Sequence, residues 1–158
     1  MISKKDMTLL NPGYALRAAG ETEQALEAFS RVTQLTNNRY CVADAHTAMG
    51  QIYESDLGDL EAAEKQYRLV LGLYPSVKSA SFFLFNLLAD QGRLEEALAE
   101  GQRFFGVCDP KRQDKLLTEY RRYVEDLGRI DENEFEELRL ACIEEAKRES
   151  LLEDGPSP

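Results

Sequence analysis

One histidine, three cysteines and one glycine-to-lysine segment are the residues of this 158-residue chain whose types invite chemistry. His46 lies in a helical pattern three residues before Met49, with no serine or cysteine motif beside it to make a nucleophile, so it reads as a packing residue. Cys41, Cys108 and Cys142 are an odd number at wide spacing with no CxxC pair. They fit neither a disulfide framework nor a zinc site and read as small buried hydrophobes. The run Gly72 to Ser79 has the outline of a phosphate loop, but Val77 stands where the second glycine must let the backbone curl round phosphates. No strand pattern precedes it, and Pro75 reads as a turn between helices. The neighbouring acids Glu95-Glu96, Glu136-Glu137 and Glu144-Glu145 diverge by about 100° on a helix and do not converge on a substrate. No catalytic, metal or cofactor constellation emerges, and the chain reads as a non-enzyme.

The elements that would carry these residues are set by a repeat. Gly20, Ala25, Phe29, Val32 and Leu35 share their spacing with Gly58, Ala63, Tyr67, Val70 and Leu73, and with Gly92, Ala97, Gly101, Phe104 and Val107. The glycines are 38 and 34 residues apart. In each unit a turn glycine is followed by a helix with one small and several large apolar positions on a single face. Upstream of each lies a second amphipathic stretch, ending at Ala19, Tyr53 and Ala89. Each unit is thus a helix–turn–helix hairpin whose apolar face is buried only by stacking on the next.

These units resemble tetratricopeptide repeats (TPR), the second most closely: Gly50, Tyr53, Gly58, Ala63, Tyr67 and Pro75 fall on the pattern if one extra residue is accommodated in Ser55-Asp56-Leu57. In the third unit Phe85 takes the small position that Gly50 holds in the second, and Gly101 takes the aromatic one, a small–large exchange. The resemblance implies an all-α, right-handed superhelical solenoid. Its repeats run over about 7–38, 39–75 and 76–110, in a single domain spanning 1–152. Ala25, Ala63 and Ala97 let paired helices approach, and Phe29, Tyr67, Leu35, Leu73 and Val107 fill the space towards the next hairpin.

Two departures are visible. Asn11-Pro12 reads either as the start of a short first helix or as a kink in a helix from Asp6. Either leaves Leu9, Leu10 and Tyr14 poorly covered and open to self-association. Beyond Asp109-Pro110 the repeat fades. Leu116, Tyr120, Tyr123 and Leu127, then Phe135, Leu138, Cys142 and Ala146 after an Asp131/Glu134 capping box, describe a capping hairpin over 111–152. A tail over 153–158 is expected to be disordered.

The resemblance also locates function. In tetratricopeptide proteins the first helices line a concave groove, and the matching positions here are Leu10, Tyr14, Arg17, Asp44, Thr47, Gln51, Glu54, Ser79, Phe82 and Asn86. This mixed surface with an acidic middle implies an extended or helical protein segment with some basic character and an apolar anchor near Phe82 or Tyr14, held by a protein–protein interaction scaffold. Solvated helix faces are the competing explanation of the same residues. The subtype that clamps a chain-end carboxylate needs lysine, asparagine and arginine where Leu10, Tyr14, Ala48, Ser79 and Phe83 stand, so that ligand is excluded. A regulatory or assembly subunit, with the repeats as a spacer in a homo-oligomer such as a homodimer through the first repeat, is a competing function. So is the chaperone role implied by a likeness in size, charge and repeat number to the tetratricopeptide chaperones of bacterial type III secretion.

Charge bears on the partner. The chain has 29 acidic and 19 basic residues, a net of −10, which repels nucleic acid. Its basic cluster, Lys111, Arg112, Lys115, Arg121 and Arg122, reads either as compensation for the acidic stretch from Glu125 to Glu153 or as a dock for an acidic partner. Lys4 and Lys5 precede no apolar run of signal-peptide length, and no stretch approaches the roughly 20 apolar residues of a membrane span. The expectation is a cytoplasmic protein without membrane contact.

Overall fold

The computed structural model describes residues 4–106 together with Leu140, Glu144 and Arg148. Over residues 4–106 the chain forms α1 (Lys4–Ala18), α2 (Thr22–Leu35), α3 (Arg39–Gln51) continuing into a π-helical turn (Ile52–Leu57), α4 (Leu60–Leu73), α5 (Lys78–Asp90) and α6 (Leu94–Gly106). Among the described residues there is no strand. The chain divides into two compact units, Met1–Ala80 and Ser81–Pro158.

In the first unit α1 packs on α2 and α3 on α4, each pair turning at a glycine in the left-handed region, Gly20 at φ 79° and Gly58 at φ 67°. Gly92, before α6, repeats this at 74°. After Gly20 and Gly92 the next amide closes the turn onto a carbonyl five residues back: Glu21 N–H to Leu16 O, and Arg93 N–H to Leu88 O, both 2.9 Å. After Gly58 the closure is one residue longer, from Asp59 N–H to Tyr53 O at 2.8 Å. The extra residue expected in Ser55-Asp56-Leu57 is therefore absorbed as the π-helical turn, a device that widens a helix locally and re-aims its side chains.

Each hairpin of this unit is locked by a glycine facing an aromatic ring. A Cβ on Gly50 would lie 2.5 Å from Tyr67 Cε1, and one on Gly13 would lie 2.6 Å from Phe29 Cε1. Both rings are fully buried, which stabilises each hairpin by about 1.5–3 kcal/mol per ring. The core of the first repeat joins Phe29 to Leu10, Ala25, Cys41, Ala48 and Ile52.

Three expectations for this unit are corrected. Of the two readings of Asn11-Pro12, the short helix starting at Pro12 is corrected, while the helix running on through Pro12 holds, α1 extending from Lys4 to Ala18. Leu10 is consequently a core residue, 4% exposed, and unavailable to a groove or a dimer. Leu35, expected to fill the space towards the next hairpin, is 67% exposed, because α2 ends there and Thr36 turns the chain out in extended geometry. Asn38 then caps α3, its Oδ1 accepting from the Tyr40 and Cys41 amides. Asp59 caps α4 through the Ala62 amide. The Gly72 to Ser79 segment is the end of α4, an interhelical turn over 74–77 closed by Val77 N–H to Tyr74 O, and the start of α5, with Tyr74 stacked on Tyr40 at 4.6 Å.

In the second unit α5 is apolar on every side: Phe82, Leu84, Phe85, Leu87 and Leu88 are all buried. Over residues 81–88 the helix has no solvated face, its exposed residues, Ser79 and Asp90, lying towards its ends. Phe82, 2% exposed, and Asn86, fully buried with Nδ2 bonded to Phe82 O at 2.9 Å, are interior residues, which corrects their placement in a groove. Ser81 donates to Glu100 of α6 at 2.8 Å, and Arg103 closes on the same carboxylate through two bonds. Phe85 and Gly101, the exchanged pair, are both buried. Val107, Cys108, Cys142, the basic cluster, the tail over 153–158 and, apart from Leu140, Glu144 and Arg148, the capping hairpin over 111–152 lie outside the described residues.

A candidate partner-binding face on α1 and α3

The first helices of the two hairpins in the first unit run parallel, because their like ends are joined. At the N-terminal ends the Asp6 carboxylate accepts from Asn38 Nδ2 at 3.0 Å and from Thr36 Oγ1 at 3.2 Å, so the residue that caps α3 also ties it to α1. At the C-terminal ends Arg17 reaches Asp56 through Nε at 3.0 Å and Nη2 at 3.3 Å, and Gln51 Oε1 through Nη1 at 3.3 Å. Between these ties lie Tyr14, Asp44 and Thr47.

Each is positioned by its helix. Tyr14 is 45% exposed and its ring stands edge-on to Phe29, with centroids 5.1 Å apart. The Thr47 hydroxyl donates to Ala43 O within α3 at 2.9 Å. Glu54, on the π-helical turn, accepts from the buried Tyr67 hydroxyl at 2.7 Å, so its carboxylate is fixed by the ring that fills Gly50. Asp44 is half-buried, and loss of solvent pushes its carboxyl above the usual aspartate range. Burial and then the Asp44 charge raise the Tyr14 phenol, against a smaller opposing effect of Arg17. Burial, Asp6 and Asp44 likewise raise the Cys41 thiol.

A tetratricopeptide-repeat family model matches residues 43–77, which cover most of α3, the π-helical turn, α4 and the turn that follows. This segment is a tetratricopeptide repeat. Its small–aromatic lock is the Gly50–Tyr67 contact and its turn glycine is Gly58. Such repeats bind protein partners and are generally non-catalytic. No curated protein matches the chain. Among the described residues no helix is long and apolar enough to cross a membrane.

Of the expected groove, Asp44, Thr47, Gln51 and Glu54 lie on the repeat, and Tyr14 and Arg17 on α1. Ser79 is exposed in the first turn of α5, whereas Phe82 and Asn86 are interior. His46 bonds Gln66 of α4 through Nδ1 at 2.8 Å, a packing role as expected. Asp6, Asn38 and Asp56 were not among the expected residues. Asn38 had a legible signal, a good cap directly before a helix; Asp56 was visible only as part of an insertion. A surface hollow on α4 is bordered by Glu61, Glu64, Lys65, Arg68 and Leu69, where Arg68 and Glu64 satisfy each other across one helical turn.

Proposed function

We propose that this chain is a non-enzymatic scaffold that binds a segment of another protein on the α1/α3 face, the segment having basic and apolar character. The observation that carries this reading is the construction of the face. Polar ties at both ends hold two helices in register, while Tyr14, Asp44 and Thr47 between them stay partly open to solvent. A face that is already ordered loses little conformational freedom on binding, which favours affinity. The groove narrows to its α1 and α3 residues, since Phe82 no longer supplies the apolar anchor and Tyr14 does.

The test is site-specific photocrosslinking in cell extract from Thr47 on this face and from Leu69 on α4, followed by identification of the captured chain. Capture of one protein from Thr47, abolished by Gln51→Arg, is expected. Equal capture from both positions, insensitive to Gln51→Arg, would show that the face is an ordinary solvated surface. Self-association through Tyr14 is the alternative within the same experiment, recognised when the captured chain is a second copy.

A further inference from the structure

Four carboxylates sit on or at the ends of the α1/α3 face, and three are already engaged. Asp6 holds Asn38 and Thr36, Glu54 holds the Tyr67 hydroxyl, and Asp56 holds Arg17. Asp44 is different. It is half-buried at mid-face, and no lysine or arginine among the described residues forms an ion pair with it. The cation expected on this face, Arg17, is held at the far end by both oxygens of Asp56 and by Gln51. A carboxylate stripped of part of its water and given no counter-charge is an unfavourable element of the free protein. It becomes favourable when a ligand brings the missing charge.

The neighbouring group has matching chemistry. Tyr14, on α1 between the same two ties that flank Asp44 on α3, keeps close to half of its surface exposed, with its ring set edge-on to Phe29. An aromatic ring beside a carboxylate attracts a guanidinium or ammonium group twice, through the π face and through the charge.

We infer that Asp44 and Tyr14 together seat one cationic side chain, lysine or arginine, of the bound segment, while the Arg17–Asp56 pair withdraws the positive charge that would otherwise welcome an acidic one. This rests on the interaction reading of the same face and specifies the residue that the face selects. The net charge of −10 favours approach of a basic segment from a distance.

The experiment selects displayed random dodecapeptides on the full-length chain, then measures the synthesised winners against the parent, Asp44→Asn, Asp44→Glu and Gln51→Arg, each checked for unchanged helicity. Winners are expected to share one arginine or lysine. Replacing it by citrulline or norleucine, or Asp44 by asparagine, should weaken binding at least about tenfold, with Asp44→Glu recovering part of the loss. Peptides that Gln51→Arg disrupts but Asp44→Asn leaves unchanged would overturn the cation seat and leave the interaction face standing. Failure to select any peptide, or winners indifferent to both substitutions, would overturn both.

Discussion

Arg17 grips Asp56 with two parallel bonds, Nε to Oδ2 at 3.0 Å and Nη2 to Oδ1 at 3.3 Å, joining the last turn of α1 to the π-helical turn 39 residues later. Both side chains are about one-quarter exposed, so the pair is neither a loose surface contact nor a buried one. Its fork geometry restricts the hinge between the two hairpins at the edge of the proposed binding face.

Asp56→Ala should lower stability by roughly 1 kcal/mol, with a weaker salt dependence than the parent. Deleting Ser55 should do the same by another route, because a turn shortened by one residue closes as the Gly20 and Gly92 turns do and re-aims residue 56 away from Arg17. Urea titration of both variants at low and high salt checks this. Equal stability of parent and Asp56→Ala at both salt concentrations would show the clasp to be energetically idle.

Gly50→Ala should destabilise by about 1–3 kcal/mol, since its Cβ would lie 2.5 Å from the Tyr67 ring in a hairpin that cannot part without opening its core. Combining it with Tyr67→Leu should cost less than the sum of the two single changes. A double-mutant cycle in urea measures the coupling, and strict additivity would refute the lock.

Leu10→Ala should cost about 2–4 kcal/mol, as expected of a leucine 4% exposed in the first-repeat core. Leu35→Ser, at a residue 67% exposed, should change stability by no more than about 0.5 kcal/mol. Thermal melts distinguish the two. Were Leu10 instead a dimer contact, its variant would melt like the parent at low protein concentration and differ only at high.

The raised carboxyl of Asp44 predicts a pH dependence of definite sign. The folded chain keeps this proton at pH values where the unfolded chain has released it, so folding takes up a proton there. Asp44 therefore contributes a loss of stability as pH rises through the interval just above the ordinary aspartate value. The groups facing it, Tyr14 and Cys41, remain neutral across that interval. Comparing parent with Asp44→Asn from pH 3 to pH 7 should show the parent losing ground to the variant as pH rises. A difference that stays constant, or changes in the opposite direction, contradicts this.

How far the structure was legible in the sequence differs between elements for physical reasons. The turn glycines were legible because a left-handed backbone selects glycine almost alone, and Gly20, Gly58 and Gly92 all adopt it. The repeat of small and aromatic positions was legible because close packing leaves few residue types that fit. Gly13 escaped notice, being masked by the Asn11-Pro12 break signal that the tertiary packing of α1 overrides. The face assignment of α5 failed because periodicity reports a direction only when one side of a helix is polar, and Phe82, Leu84, Phe85, Leu87 and Leu88 leave no such side. Asp56 could not be placed at all from spacing, since a π-helical turn changes the angle at which every side chain within it projects.

The glycine–aromatic lock has a consequence for how this chain can change. A bump on one helix fits a hole on its mate, so neither residue can grow or shrink alone without loss, yet the pair can trade places with total volume kept. The first two hairpins carry the hole on the leading helix, at Gly13 and Gly50. In the third hairpin the small and large residues stand in the reverse order along the sequence, Phe85 on the leading helix and Gly101 on the trailing one, and both are buried. The first two hairpins share one polarity, so a helix exchanged between them, leading for leading or trailing for trailing, would still bring hole against ring.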